Sequence, residues 1–194
     1  MSELIRCFVA IELPEPVKAE MAGIQAKFKA ARMDFLRWVG PSGIHLTLKF
    51  LGEVSHERVP EMVKAIEESV QGIQPFTLQL DQVGVFPNPR QPRVLWVGVG
   101  GEFSVLKTLQ ENVDVAFSML GFPEEGREFK AHLTLARVRD DATPGQRQSL
   151  GDMVARTRLE SASRFTVGGV NLMRSQLTPK GAIYTCLAMA PLGK

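Results

Sequence analysis

One tetrapeptide, HLTL, stands at residues 45–48 and returns unchanged at residues 132–135. The chain has only three histidines, and two of them head these copies. With nine threonines among 194 residues, a given histidine has threonine two places later by chance about 5% of the time. Two such matches among three histidines are not expected by chance, so the repeat indicates a shared structural role.

The residues around the two copies repeat as well. The triplet FTL at 76–78 is followed 89 residues later by FTV at 165–167, and Phe8 precedes His45 by nearly the interval that separates Trp96 from His132. The pattern predicts an internal duplication with sequence halves of about 1–91 and 92–194. Each half would contribute a strand, a helix, an HLTL strand, a helix and a further strand.

Hydrophobic periodicity supports this order of elements along the whole chain. Strands are predicted at 4–13, 43–54, 76–86, 93–100, 130–138, 163–175 and 182–190, and helices at 16–32, 55–70, 103–120 and 144–157. Two copies are too few for a solenoid. We therefore expect a single domain over residues 1–194, built from two pseudo-symmetric α+β lobes that face each other.

Composition restricts the possible functions. With 44% hydrophobic and 23% charged residues the chain is typical of a globular protein, and its net charge of +2 is far below that of a general nucleic-acid coat. It has no apolar run long enough to span a membrane and no signal-peptide layout at its N-terminus. Cys7 and Cys186 lie in apolar runs, as buried free thiols do in a reducing compartment. A cytoplasmic location is expected.

The HLTL pattern itself suggests a chemistry. On a strand, residues i and i+2 share a face, so each histidine and its threonine point one way and the two leucines point the other. If both strands border one cleft, it receives two imidazoles and two hydroxyls. A neutral histidine can accept a proton from water while a protonated one donates to a leaving oxygen. Threonine hydroxyls can bind the oxygens of a tetrahedral anion. These groups favour metal-free cleavage of a phosphate ester.

Three other interpretations compete with this one. A single histidine in an apolar strand is more often a structural residue, and a duplicated sequence can persist without a purpose. A metal site is disfavoured, because His56 stands at a helix start and no HExxH or CxxC spacing is present. A non-catalytic nucleotide- or RNA-end-binding module would keep the same pocket. It has less need, however, of two groups that transfer protons.

The two H-x-T-x motifs in a duplicated chain resemble the 2H phosphoesterase superfamily. Within it, "RCFVAIELP", "RWVGPSGIHLTLKFLGEV", "HLTLARV" and the closing "SQLTPKGAIYTCL" resemble the RNA 2′,3′-cyclic phosphodiesterases, historically called 2′-5′ RNA ligases. The resemblance runs from about residue 4 to 189. It implies a bilobal, internally duplicated α+β fold with two antiparallel sheets and flanking helices around a central cleft.

The resemblance also implies a reaction, the hydrolysis of an RNA 2′,3′-cyclic phosphate to a 2′-phosphomonoester without metal or cofactor. Carried over by position, His45 is the proton donor to the leaving 3′ oxygen and His132 is the proton acceptor from water. Thr47 and Thr134 hold the phosphate oxygens. The two histidines can exchange roles in the reverse reaction, a 2′-5′ ligation. The expected partner is an RNA end or a small cyclic nucleotide, and the expected oligomeric state is a monomer.

Arg137 matches the H-x-T-x-x-R pattern of that family, which implies a role in binding substrate. In a regular strand its side chain would leave the face opposite His132, so it reaches the ligand only if the strand twists or ends there. Tyr184 is the second predicted substrate-binding residue, because its hydroxyl can reach polar ligand atoms. Phe8 and Trp96 occupy comparable strand positions, and we expect them to be core residues rather than a base-stacking wall.

Two lysines complete the list of candidates. Lys49 and Lys180 could add positive potential to the cleft, but an exposed, solvated lysine is the ordinary expectation for each.

Overall fold

The computed structural model describes residues 3–159, 163–179 and 181–193, so Lys180 lies outside the described residues. Within these ranges the helices are α1 (Glu15–Ala30), α2 (Val59–Ser69), α3 (Phe103–Met119) and α4 (Pro144–Arg156). The strands are β1 (Leu4–Glu12), β2 (Leu36–Trp38), β3 (His45–Ser55), β4 (Phe76–Phe86), β5 (Val94–Gly101), β6 (His132–Val138), β7 (Arg164–Val167), β8 (Gly169–Thr178) and β9 (Gly181–Pro191).

All predicted helices and strands are present, with two differences. Strand β2 was not predicted, because its three residues are too few to show a period. The predicted strand at 163–175 is divided at residue 168 into β7 and β8, which belong to different sheets. Ser55 caps the turn before α2, since its side chain accepts a hydrogen bond from the Glu57 backbone N–H.

The strands form two antiparallel sheets, which confirms the α+β fold. The first sheet has the order β3-β1-β8-β9, and the second has the order β2-β6-β5-β4-β7. Each sheet takes strands from both halves of the sequence, because β8 and β9 join the first while β2 and β4 join the second. The division into two lobes near residue 91 stays a prediction.

The pairing of β4 with β7 reveals the symmetry of the repeat. It places Thr77 opposite Thr166, which hold equivalent positions in the two copies of the FTL/FTV triplet. Their neighbours pair reciprocally, since Phe76 lies opposite Val167 and Leu78 opposite Phe165. A pseudo-twofold axis therefore passes between the two threonines.

Apolar residues at helical spacing anchor the helices to the sheets. On α1 the buried apolar side chains are Val17, Met21, Ile24 and Phe28, as the sequence predicts. Burial of one such side chain stabilises the fold by about 1.5–3 kcal/mol. Helix α4 begins with a capping box, in which Thr143 and Gln146 each accept a hydrogen bond from the backbone N–H of the other.

The other face of the first sheet carries a small apolar cluster of its own. Phe8, Ala10 and Met173 are buried there, and Tyr184 packs against them. Phe8 is thus a core residue, as expected. Because β9 is an edge strand, the prediction that both cysteines are buried was wrong for Cys186, which is exposed, and right for Cys7.

The described helices include none that combines the length and the apolarity of a membrane span.

Candidate active site

The two HLTL segments begin strands β3 and β6, and the side chains alternate as predicted. All four leucines of the two motifs are buried, namely Leu46, Leu48, Leu133 and Leu135. His45, Thr47, His132 and Thr134 are half-buried on the opposite face of their strands. Each strand therefore presents one imidazole and one hydroxyl away from the core.

The two motif strands lie in different sheets but contact each other. Strand β2 pairs with β6, and Val39 donates a backbone hydrogen bond of 2.9 Å to the Leu135 carbonyl. One short 3-10 turn, Pro41–Gly43, then leads directly into β3. The segment from β2 to His45 is thus fixed at both ends beside the two motifs.

Each imidazole is oriented by a hydrogen bond to the backbone two residues earlier. Nδ1 of His132 lies 2.6 Å from the carbonyl oxygen of Lys130. His45 bonds the backbone of Gly43 in the same relation, and this bond raises its pKa, as donation to a carbonyl does. A donating Nδ1 leaves Nε2 of His132 as the acceptor of a neutral ring, which suits proton transfer.

Burial dominates the electrostatics of both rings. It lowers the pKa of His45 from 6.5 to about 4, and the hydrogen bond to Gly43 offsets only part of this effect. The pKa of His132 is lowered first by burial and further by the positive charge of Arg137, against the opposing hydrogen bond to Lys130. Both imidazoles are therefore shifted toward the neutral form.

Aromatic rings enclose His45. The ring of Phe8 stacks on the imidazole at 4.5 Å between centroids, and Tyr184 meets it edge-on at 4.9 Å. Tyr184 also packs on Gly43, where an added Cβ would lie 2.8 Å from the tyrosine ring. Glycine at this position lets the ring approach the turn that carries His45.

The surroundings of His132 are built from different strands. Phe86 of β4 meets the imidazole edge-on at 5.0 Å, and Trp96 of β5 lies 4.8 Å from Phe86. A cavity of about 280 Å³ opens beside them. Its lining residues are Asp81, Gln82, Phe86, Trp96, Gly98, Val99, Lys130, Ala131 and His132.

The prediction that Phe8 and Trp96 are equivalent was wrong. Trp96 lies opposite Thr134 in the β5–β6 ladder, whereas the residue opposite Thr47 in the β1–β3 ladder is Ala10. Ala10, two residues after Phe8, is therefore the counterpart of Trp96. Trp96 is half-buried, whereas Ala10 is fully buried.

A β-bulge at the second leucine of each motif changes the direction of the residues that follow. The ladder partners skip from Thr47 to Lys49 in β3, and from Thr134 to Ala136 in β6. In β6 the bulged Leu135 carbonyl also accepts a hydrogen bond of 3.0 Å from the buried Gln25 side chain. An extra residue inverts the alternation of faces beyond it.

The bulge places Arg137 on the face of His132 and Thr134, whereas a regular strand would have turned it away. Arg137 lies opposite Val94, which shares a face with Trp96, the partner of Thr134. From this position the positive charge of Arg137 lowers the pKa of His132. The strand is therefore not regular, and sequence periodicity does not reveal such a bulge.

Phe50 is a candidate residue that the sequence reasoning missed. It follows His45 by five residues, as Arg137 follows His132, and the matching bulges make the two positions equivalent. Its side chain is 62% exposed and lies 6.3 Å from Phe8, measured between ring centroids. The shared spacing from histidine was the signal that could have identified it.

Lys49 does not add charge to the cleft, and it is not a solvated lysine. The bulge turns it toward the core, where it is 2% exposed. Its Nζ forms an ion pair with Asp114 of α3 and donates a hydrogen bond of 2.7 Å to the Pro123 carbonyl. Asp114 also accepts a hydrogen bond from the Glu125 backbone N–H. Lys49 thus ties β3 to the segment that leads to His132.

The remaining histidine lies apart from this site. His56 is exposed in the short turn before α2, as predicted. Among the described residues, no three His, Cys, Asp or Glu side chains are grouped in a way that could hold a metal ion.

Comparison with known proteins identifies the family of this chain. The sequence pattern of the LigT-like phosphoesterases matches residues 11–96 and again residues 101–184. The RNA 2′,3′-cyclic phosphodiesterase of Methanothermobacter thermautotrophicus is 34% identical over 181 residues, which are 93% of this chain and 95% of that protein.

Two crystal structures are similar over nearly all of the chain. TT0787 of Thermus thermophilus superposes with a TM-score of 0.80 at 31% identity, covering 97% of this chain and 98% of that one. E. coli LigT complexed with 3′-AMP gives a TM-score of 0.78 at 26% identity, covering 99% and 100%. With both halves matched in order, the chain belongs to the LigT-like phosphoesterase family.

Proposed function

We propose that this protein hydrolyses 2′,3′-cyclic phosphodiester ends of RNA to 2′-phosphomonoesters without a metal ion. The observation that carries the proposal is the pair of equivalent strands β3 and β6, each of which presents a backbone-oriented histidine beside a threonine. The relative from M. thermautotrophicus is named for this activity.

In the proposed reaction, water attacks the phosphorus atom while the bond from phosphorus to the 3′ oxygen breaks. His132 accepts the proton that the water loses, and His45 donates a proton to the departing 3′ oxygen. The products are a 2′-phosphomonoester and a 3′-hydroxyl, and one molecule of water is consumed. The proton balance of the two histidines is restored through solvent.

The low pKa of His45 has to be reconciled with its role as the proton donor. With a pKa of about 4, His45 is largely neutral at pH 7. The cyclic phosphate carries a negative charge, and an opposite charge within a few ångströms raises the pKa of a histidine. Binding of substrate thus promotes protonation of His45. The lowered pKa of His132 suits a proton acceptor without further change.

Other side chains around the two histidines complete the proposed site. Thr47 and Thr134 donate hydrogen bonds to the non-bridging phosphate oxygens as these gain charge. Arg137 binds the substrate through its guanidinium group. Tyr184 and the exposed ring of Phe50 contact the terminal nucleoside, and Phe50 offers a surface on which a base can stack.

We further propose that the protein acts as a monomer in the cytoplasm and uses no cofactor. The same groups can catalyse the reverse reaction, in which a 5′-hydroxyl replaces water and a 2′-5′ linkage forms. In excess water, hydrolysis is the favoured direction.

The test is incubation with a short RNA that ends in a 2′,3′-cyclic phosphate, in the presence of EDTA, followed by identification of the product. Wild-type protein should form a 2′-phosphate. His45→Ala and His132→Ala should each lose at least about 100-fold in turnover. His56→Ala is the matched control, because His56 is exposed and outside the site.

Three results would contradict the proposal in different ways. Loss of activity in EDTA would indicate a metal-dependent reaction. Equal losses in all three histidine variants would show that the site has been misassigned. Tight binding of the RNA without turnover would indicate a binding module.

A further inference from the structure

A second arginine lies directly beside Arg137. In the pairing of β2 with β6, Arg37 is opposite Arg137. Directly paired residues of antiparallel strands point to the same face. The neighbours Leu36 and Trp38 lie opposite Val138 and Ala136, which are buried. Arg37 therefore shares the face of Arg137, on which His132 and Thr134 also lie.

This arrangement places two positive charges side by side, and no described residue pairs with either of them. Like charges directly opposite each other destabilise a sheet. In the part of the chain that the structure describes, neither guanidinium forms an ion pair or a hydrogen bond. Arg139, two residues beyond Arg137, contrasts with them because it pairs with Asp141 at 3.2 Å. An anion bound between Arg37 and Arg137 would remove the repulsion.

The two arginines also extend the face that carries His132 and Thr134 toward the edge of the second sheet. Across the second sheet, Arg37, Arg137, Val94 and Phe86 are successive partners in one row. Phe86 contacts His132 at one end of the row, and Arg37 stands on the edge strand at the other. Neighbouring strands are about 4.8 Å apart, so the row is a short path from the cleft to the edge of the sheet.

We propose that Arg37 and Arg137 together bind the phosphodiester that precedes the cyclic phosphate at the end of an RNA strand. The inference rests on the proposed function, which places the cyclic phosphate between the two motifs. Guanidinium groups bind phosphate oxygens through paired, charge-assisted hydrogen bonds. A substrate with at least one further nucleotide uses this subsite, whereas a cyclic mononucleotide has no phosphate to fill it.

The test compares two substrates that have the same terminal nucleoside. One is a 2′,3′-cyclic mononucleotide, and the other is a short RNA ending in that cyclic phosphate. Arg37→Gln should lower kcat/KM for the RNA by about tenfold, while kcat/KM for the mononucleotide changes by less than about twofold. The salt dependence of RNA turnover should also weaken by about one phosphate contact.

Two further variants serve as controls for a general effect of losing an arginine and for the role of the charge. Arg156→Gln removes an exposed arginine from the last turn of α4 and should leave both substrates unaffected. Arg37→Lys should recover part of the RNA activity, because it keeps the charge but not the paired geometry. Thermal unfolding checks that Arg37→Gln is folded.

Equal losses on both substrates, or no loss on either, would overturn the subsite while leaving the proposed function in place. If the wild-type protein turned over neither substrate, the proposed function would fail, and the subsite with it.

Discussion

The ring of Phe8 stacks on the imidazole of His45 with 4.5 Å between centroids and 27° between the ring planes. Phe8 is itself 3% exposed, so this contact removes one face of the imidazole from water. A charged histidine loses more by such burial than a neutral one. The stacked pair is therefore one physical source of the lowered pKa of His45.

The lowered pKa predicts a loss of stability in mild acid. An unfolded histidine has a pKa of 6.5, whereas that of His45 in the folded protein is about 4. As pH falls below 6.5 the unfolded state binds more protons, so the free energy of unfolding decreases until about pH 4. His132 acts in the same direction. Urea denaturation over this range should show the decrease.

Variants separate the histidine contribution from that of carboxylates. His45→Gln should lessen the slope of stability against pH, and His56→Gln, which alters an exposed residue, should keep the wild-type slope. An unchanged slope in His45→Gln would mean that His45 is not buried as a neutral ring.

The pH dependence of the proposed reaction should differ between its two kinetic constants. The profile of kcat/KM reports the free enzyme, and that of kcat reports the complex with substrate. Because the bound phosphate raises the pKa of His45, the descending limb of the kcat profile should lie at higher pH than that of kcat/KM. Superimposable profiles would argue against protonation of His45 by substrate binding.

The buried ion pair between Lys49 and Asp114 predicts an asymmetric effect of substitution. Asp114→Ala leaves a buried ammonium group whose one remaining partner among the described residues is the Pro123 carbonyl, and should cost about 3 kcal/mol of unfolding free energy. Lys49→Met should cost less, since Asp114 is partly exposed and keeps its bond from Glu125.

A double-mutant cycle measured by urea denaturation gives the coupling between the two residues. The double variant Lys49→Met/Asp114→Ala should be more stable than Asp114→Ala alone, because it has no unpaired buried ammonium group. Additive losses would show that the two side chains act independently.

Close packing of Trp96 on Gly84 predicts the cost of a single methyl group. A Cβ at position 84 would lie 2.3 Å from the tryptophan ring, so Gly84→Ala must displace the ring and should destabilise the fold by about 1–3 kcal/mol. Gly23→Ala is the matched control. Apart from its own helix backbone and chain neighbours, no described atom lies within 4 Å of its added Cβ, and alanine in a helix should stabilise by about 0.5–1 kcal/mol.

Thermal unfolding of the two variants checks this prediction. If Gly84→Ala were as stable as the wild-type protein, Trp96 could move away from the cavity beside His132 without a loss of unfolding free energy.

Much of this architecture follows from local patterns in the sequence. The alternation within HLTL correctly predicts that the leucines are buried and that His45 and His132 lie on the other face. The repeated FTL/FTV triplets mark the pairing at the pseudo-twofold axis. These features depend on periodicity and on the repeat, and both can be read from one chain.

The predictions that were wrong have a common physical cause, which is irregular strand pairing. A bulge adds one residue to one strand of a pair, and its position depends on the partner strand. For this reason the directions of Lys49, Phe50 and Arg137 could not be predicted from alternation. Asp81 and Gln82 likewise have no ladder partner where β4 pairs with β5, and alternation in the sequence does not show this irregularity either.

The exchange of strands between the halves affects how the protein can fold during synthesis. Strand β1 pairs early with β3, but its other neighbour, β8, follows it by about 160 residues, with Val9 opposite Leu172. Until β8 leaves the ribosome, one edge of β1 has no partner in the sheet. Unpaired strand edges invite association between chains. The first sheet, including the strand that carries His45, can be completed only near the end of translation.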